Sequence, residues 1–284
     1  MNNSAIMDRL SASALETVEL SFGDSHARLT LQGAHLVSYI HKGVERLWMS
    51  PKTNFEIGQP IRGGVPICWP WFGPHSNDAS RPAHGFARTA NWTLKSKQQE
   101  SNSAQLTLSL ESKDPDYPLT VDFRVELSDA SLTMTLITRN CGDQKITLNE
   151  ALHTYLPISD LSKAFIEGLT DCRFADKLAD YKESIELRQQ VYLTEPTDRV
   201  YYDQSAELRL TDSGSGSLLK IGKHGSGATV VWNAGADIAS TMLDLGADNY
   251  RSYLCIEAAN ALQASVELEP GATHTLSQSL TCVN

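Results

Sequence analysis

The sequence predicts an all-β protein built as one large antiparallel sandwich, and three observations carry that prediction. Apolar and polar residues alternate with period two along several segments, which gives strands with one buried and one wet face. Short turn signals, rather than long connections, separate those segments. No helical pattern alternates with them in the βαβ succession that a parallel sheet requires.

From the N-terminus, Ile6 to Glu16 reads as a short amphipathic turn or a frayed end. Leu36 to Ile40 and Arg46 to Met49 flank His41-Lys-Gly-Val44, a hairpin signal. Leu106, Leu108 and Leu110 alternate with Thr and Ser. Leu119, Val121, Phe123, Val125 and Leu127 alternate with Thr120, Asp122, Arg124 and Glu126. Leu132, Met134 and Leu136 resume the pattern beyond a turn at Ser128-Asp-Ala-Ser131. Further strands are expected at 145–156, 206–211, 228–233, 252–258, 264–269 and 273–280. Gly214-Ser-Gly-Ser217 fits a hairpin between 206–211 and 218–222 and is too short to separate domains. One short helix is expected from Asp237 to Leu245, with Asp237 as its cap. No repeat or linker divides residues 1–284, so they read as a single domain in which 1–16 stand as an extension if they fray.

The chain carries 24 basic and 34 acidic residues, a formal net charge of −10. That balance disfavours broad attachment to nucleic acid or to an anionic membrane. A small anionic substrate remains compatible, because a few arginines in a cleft focus positive potential locally. Cys68, Cys141, Cys172, Cys255 and Cys282 are odd in number and scattered, with no CxxC pair and no Cys/His ligand spacing. Free thiols in a reducing compartment are expected, and neither a disulfide framework nor a metal site. The first residues lack a basic stretch followed by an apolar one. No run of ~18 apolar residues occurs. The reading is a soluble, cytoplasmic protein, a monomer or weak homo-oligomer.

The most informative stretch is Ile61-Arg-Gly-Gly-Val-Pro-Ile-Cys-Trp-Pro-Trp-Phe-Gly-Pro74, followed by Ala83-His-Gly-Phe-Ala-Arg-Thr-Ala-Asn-Trp92. Gly permits close backbone approach and Pro stiffens a segment that cannot continue a helix. Trp and Phe supply flat walls, Arg and His supply donors and charge. The mixture fits a rigid loop lining a polar-ligand cleft, and it also fits an aromatic plug at the end of a sandwich. Arg62 to Gly73 and His84-Gly-Phe-Ala-Arg88, with Trp92 behind, resemble the signature of the glucose-6-phosphate 1-epimerases. These are the hexose-6-phosphate mutarotases of the aldose 1-epimerase superfamily. Glu150-Ala-Leu-His-Thr-Tyr155, Thr197-Asp-Arg-Val-Tyr201, Val231-Trp-Asn233 and Leu254-Cys-Ile-Glu257 follow in matching order, so the likeness spans residues 30 to 280. It implies a galactose mutarotase-like antiparallel supersandwich with the sugar cleft on one concave face.

Interconverting the anomers of a hexose opens and recloses a hemiacetal. One base takes the proton of the anomeric hydroxyl while one acid protonates the ring oxygen, so no cofactor is expected. His153 shares a strand face with Ala151 and Tyr155, while Leu152, Thr154 and Leu156 point the other way. A strand histidine is more often a hydrogen-bonded structural residue. The resemblance makes His153 the general acid. Glu257 ends an otherwise apolar run from Tyr253, a place where a carboxylate reaches water or meets a cleft. The resemblance makes it the base, with Glu150 as competitor or as support. Arg62 and Arg88 are the candidate clamps for phosphate or hydroxyls, His84 a donor to the ring, and Asp198 an acceptor for hydroxyls, with Asp203 the alternative. Trp69, Trp71 and Phe72 wall the cleft or only pack beneath it. The function implied is α/β interconversion of glucose 6-phosphate. Two alternatives are a mutarotase for free aldoses such as galactose, and a non-catalytic module that binds sugar phosphates.

Overall fold

Two eight-stranded antiparallel sheets share one core. The structure, a computed structural model, describes residues 3–194, 196–202 and 207–283. The first sheet runs Lys182–Ile185, Arg173–Asp176, Thr197–Tyr202, Ala228–Asn233, Tyr253–Asn260, Glu150–Leu152 and Ile67–Cys68, with Tyr155–Pro157 also paired to Tyr253–Asn260. The second runs Ala164–Glu167, Glu207–Asp212, Ser217–His224, Thr273–Val283, Ser131–Asn140, Leu119–Leu127, Ala104–Glu111 and Thr93–Gln99. A four-stranded sheet, Thr17–Phe22, Ser25–Thr30, Leu36–His41 and Val44–Glu45, adds its apolar side to the same core.

The alternation in Leu119–Leu127 is realised in full. Leu119, Val121, Phe123, Val125 and Leu127 are buried, while Asp122 and Arg124 are exposed. Each such apolar side chain contributes about 1.5–3 kcal/mol when taken out of water. A register slip of one residue would turn all five outward, which is why this pairing is well specified. The central strand Tyr253–Asn260 differs, being buried at every position. Its Leu254, Ile256 and Ala258 meet the main core. The opposite side is covered by loops, and that covered side is where the site lies.

Several expectations are corrected. The segment 145–156 is not one strand but three pieces, Ile146–Leu148, Glu150–Leu152 and Tyr155–Pro157. Its backbone breaks at His153, whose N–H bonds the Pro66 carbonyl at 3.0 Å while Thr154 N–H turns back to Leu152 at 2.9 Å. The faces hold nonetheless, since Leu152 and Leu156 enter the main core and Tyr155 a separate cluster. Arg46 to Met49 is no strand, and the hairpin ends at Val44–Glu45. Beyond it the Arg46 N–H still reaches the Tyr39 carbonyl at 2.8 Å, while the Glu45 carboxylate accepts from the N–H groups of Tyr39 and Leu47 and ends the ladder. The helix begins two residues early, at Gly235–Thr241, and Asp237 is not its cap. Asn233 instead accepts from the Gly235 N–H at 2.9 Å. Residues 3–11 form a helix whose Ile6 and Leu10 pack with Val37, Met49 and Ile61, so this end is anchored. All five cysteines are unpaired. Among the described residues, no helix is long and apolar enough to cross a membrane.

Candidate active site

The glycines of the conspicuous loop are structural requirements. Gly64 has φ +62°, and a Cβ there would lie 2.2 Å from the Leu36 carbonyl oxygen; Gly85 has φ +72°, and its Cβ would lie 1.8 Å from that of Trp69. Only glycine allows both the left-handed backbone and such approach. The loop is then pinned on both sides. Tyr155 N–H bonds Gly64 at 2.9 Å, and His84 N–H bonds Gly73 at 2.7 Å. Of the three aromatics, Trp69 is fully buried with its indole N–H on Thr138, so it packs. Trp71 lines a neighbouring groove, and Phe72 walls the site itself.

All six residues singled out in the sequence meet in one cavity of about 240 Å³: Arg62, His84, Arg88, His153, Asp198 and Glu257. Its floor is the loop-covered face of the first sheet. Asp198 stands opposite Trp232 and Val230 opposite Glu257 in the strand register, so these four side chains share that face. Glu257 therefore lies in mid-strand and is 1 % exposed; it is not the strand-end group the sequence pattern suggested. His153 Nε2 lies 3.3 Å from Glu257 Oε1. The contact is not aligned as a hydrogen bond, and both Glu257 oxygens, His153 Nδ1 and Asp198 Oδ1 are buried with no partner among the described residues. Orphaned buried polar atoms cost about 1–3 kcal/mol each, and four converging on one cavity mark a site for a polar ligand.

The surroundings set the charge states. Burial raises the Glu257 carboxyl well above its usual range, and nearby Asp198 adds to this while Lys177 opposes it. Burial lowers the His153 imidazole, with His84, Arg62 and Arg88 adding to the effect. Both shifts act in the same sense, favouring the neutral pair of carboxylic acid and imidazole over the ion pair. His84 is pushed down to about 3 by burial and by Arg88 and Lys177. Its Nδ1 accepts from the Gly73 N–H at 3.2 Å, so a neutral His84 presents Nε2–H as a donor. Asp198 is raised by burial, although Lys177 Nζ at 2.8 Å holds it partly down. Burial alone would lower Arg62, but Tyr155 and Asp244 hold it above its ordinary value. Its Nε and Nη2 reach Asp244 Oδ2 at 3.0 and 2.9 Å, and Nη1 donates to Tyr155 Oη at 3.0 Å.

Glu150 is not in the cavity. It is buried in the floor's far side, where its carboxylate meets Asn260 at 3.2 Å and His274 at 3.3 Å, so it neither competes with nor supports His153. Asp203 lies outside the described residues. Four contributors went unassigned in the sequence reading: Lys177, Trp232, Tyr155 and Asp244. Trp232 and Tyr155 lie inside motifs that carried the resemblance. The Tyr155 ring stacks on His153 at 4.9 Å and 14°. Lys177 opens a three-residue 3-10 helix and Asp244 sits in a turn, and nothing local distinguishes them.

Comparison with known proteins places the chain as a whole. Residues 16–281 match the profile of the aldose 1-epimerases, and the chain belongs to that family. As a member it is an isomerase acting on carbohydrate. It is 33% identical over 285 residues to an Escherichia coli (strain K12) protein described as "Putative glucose-6-phosphate 1-epimerase", covering 98% of this chain and 94% of that one. A Salmonella typhimurium relative bearing the same description is 33% identical over 275 residues, covering 93% and 90%. The crystal structure of a Salmonella typhimurium protein described as a "putative mutarotase" superposes with a TM-score of 0.87 at 30% identity, over 95% of this chain and 91% of that one. The galactose mutarotase-like supersandwich expected from the resemblance is the fold observed.

Proposed function

We propose that the protein is a hexose-6-phosphate mutarotase, interconverting the α and β anomers of glucose 6-phosphate. The observation that carries the reading is the His153–Glu257 pair, 3.3 Å apart in a cavity also lined by Arg62, Arg88 and Lys177. In a chain of net charge −10, Arg62, Arg88 and Lys177 bring cations to one small cavity, and a cation without a carboxylate partner among the described residues leaves local positive charge for a phosphate. Lys177 is paired to Asp198 and Arg62 to Asp244. Among the described residues Arg88 donates only to the Ala83 carbonyl, at 2.8 Å, which leaves it the cation best able to take a phosphate oxygen.

The chemistry follows from the single proton the pair holds. With that proton on His153, Glu257 is a carboxylate and accepts the anomeric hydroxyl proton while His153 gives its own to the ring oxygen. The ring opens to the aldehyde, and the pair is left as carboxylic acid and imidazole, the neutral arrangement that burial favours. Rotation about C1–C2 presents the other face of the aldehyde. Reclosure then runs the same two transfers backward, returning the proton to His153 and yielding the other anomer. Protons balance over the cycle without a cofactor or covalent intermediate. His84 Nε2–H and Asp198 supply a donor and an acceptor for hydroxyls.

Exchange NMR of the two anomers, with purified protein and a protein-free control in the same buffer, tests the proposal. Exchange of glucose 6-phosphate should rise with protein concentration, with kcat/KM at least about tenfold above that for glucose. No acceleration over buffer would sink the assignment.

A further inference from the structure

Asp198 is held differently from other buried carboxylates of this molecule. Asp212 accepts at both oxygens, from the N–H groups of Ser159 and Gly214 and the hydroxyls of Ser159 and Ser215. Glu186 does the same with Arg188 and Tyr201. Asp198 takes Lys177 Nζ on Oδ2 at 2.8 Å, while its Oδ1 is buried with no partner among the described residues. An ion pair that served the fold alone would fill both oxygens, because an idle buried acceptor has lost its water and gained nothing. One oxygen is occupied by the protein and the other faces a cavity built for hydroxyls.

The strand register puts Lys177 there. Asp176, the last residue of Arg173–Asp176, stands opposite Arg199 and takes its Nε at 3.0 Å. The other Asp176 oxygen caps the turn Lys177–Ala179, accepting from the Leu178 N–H at 3.1 Å. One step further along the two strands, on the opposite face, Lys177 meets Asp198. Its ammonium also lies 5.4 Å from the centre of the Phe72 ring, which walls the cavity. The side chains of Lys177 and Asp198 are only 20% and 17% exposed, so salt and water screen the pair little.

Asp198 and Glu257 share the cavity floor, and their neighbours treat them unequally. Burial favours the uncharged acid at both, and Lys177 opposes it at both. Only Asp198 also receives a hydrogen bond from Lys177, with Asp176 as the further anion behind it. Glu257 has His153 beside it at 3.3 Å, and the nearby Cys68 and Cys255 thiols are kept neutral by burial. Arg62, His84 and Arg88 complete the titratable lining.

We propose that Lys177 is a positioning residue for the reaction: it holds Asp198 as an anion through Oδ2, leaves Oδ1 to accept a sugar hydroxyl, and so reserves Glu257 for the moving proton. The role rests on the mutarotase reading and deepens it. Hydroxyls are common to the free and the phosphorylated sugar, so Lys177 acts on both alike, as a clamp on phosphate would not.

Lys177→Met keeps an unbranched side chain beside Phe72 and removes the charge. In carboxyl-carbon NMR titrations, with the Asp198 signal assigned by its loss in Asp198→Asn, the Asp198 midpoint should move to higher pH, since losing a cation favours the neutral acid. Lys177→Gln should move it likewise, which keeps the test open if the Met variant does not fold. By anomer exchange, kcat/KM should fall roughly tenfold, about 1.4 kcal/mol, for glucose 6-phosphate and glucose alike. Added to Asp198→Asn, the same change should cost less than about twofold, because Lys177 then has no anion to hold. An unmoved midpoint, a loss confined to glucose 6-phosphate, or a full tenfold loss in the Asp198→Asn background would each overturn the role and leave the mutarotase reading standing. A parent enzyme that exchanges neither sugar would overturn that reading, and the role with it.

Discussion

Replacing Arg88 by alanine separates a phosphate clamp from a clamp on the sugar ring. Arg88 lines the cavity half-buried, and its one bond among the described residues is to a backbone carbonyl. No carboxylate lies within ion-pair distance of it among the described residues, so its charge is available to the substrate. A hydrogen bond to a charged group contributes about 1.5–3 kcal/mol. At about 1.4 kcal/mol per factor of ten, Arg88→Ala should lower kcat/KM for glucose 6-phosphate by roughly 10- to 150-fold. Partial exposure and screening put the value toward the lower end, and added salt should narrow the gap further. Turnover of free glucose should change by less than about threefold. Arg62→Ala should behave differently, because it strands Asp244 and the Tyr155 hydroxyl and removes a cation that holds His153 neutral. It should impair both sugars. The measurement is anomer exchange by NMR on both sugars across substrate concentration. Equal losses on the two sugars in Arg88→Ala would refute its assignment to phosphate.

His153→Asn and Glu257→Gln should each lower kcat by roughly 10²–10⁴-fold, the usual share of one acid or base, with sugar-phosphate binding retained by titration. Near-normal exchange in either variant removes that residue from the role. Glu257→Gln should also alter stability with a definite sign. The folded carboxyl is raised above its unfolded value, so the parent loses stability as pH rises from the unfolded pKa toward the folded one. The amide does not titrate, so the variant should gain on the parent in chemical denaturation as pH is raised from about 4 to about 8. A difference that shrinks over that range would contradict the burial argument. Tyr155→Phe deletes only the hydroxyl that anchors Arg62 and keeps the ring under His153. KM for the sugar phosphate should rise several-fold with kcat little changed, whereas Tyr155→Leu should lower kcat as well. A kcat loss in the Phe variant equal to that in the Leu variant would show that the ring contact is not what positions His153.

Period-two alternation is visible only where a strand has one wet face, and that decides what the sequence could disclose. Leu119–Leu127 and Ser131–Asn140 have such faces and could be read closely, along with the turn between them. Thr93–Gln99 is almost wholly exposed and Tyr253–Asn260 wholly buried, so neither shows the pattern. The first escaped notice, and the second concealed how deep Glu257 lies. The site was legible for a different reason. Left-handed glycines at 64 and 85, each against a carbonyl oxygen, force a composition that no ordinary loop needs. Every residue named from those motifs reached the same cavity, except Glu150 on the floor's far side and the loop tryptophans. What stayed hidden were the partners that set charge. Lys177 meets Asp198 across 21 residues, and Asp244 meets Arg62 across 182. Neither pair has a local pattern, because ion pairing constrains space and not sequence spacing. Yet they decide that, among the described residues, Arg62 and Lys177 hold carboxylates and Arg88 does not. On the proposed reading, substrate choice turns on the cation without a carboxylate partner, and that follows only from the folded arrangement.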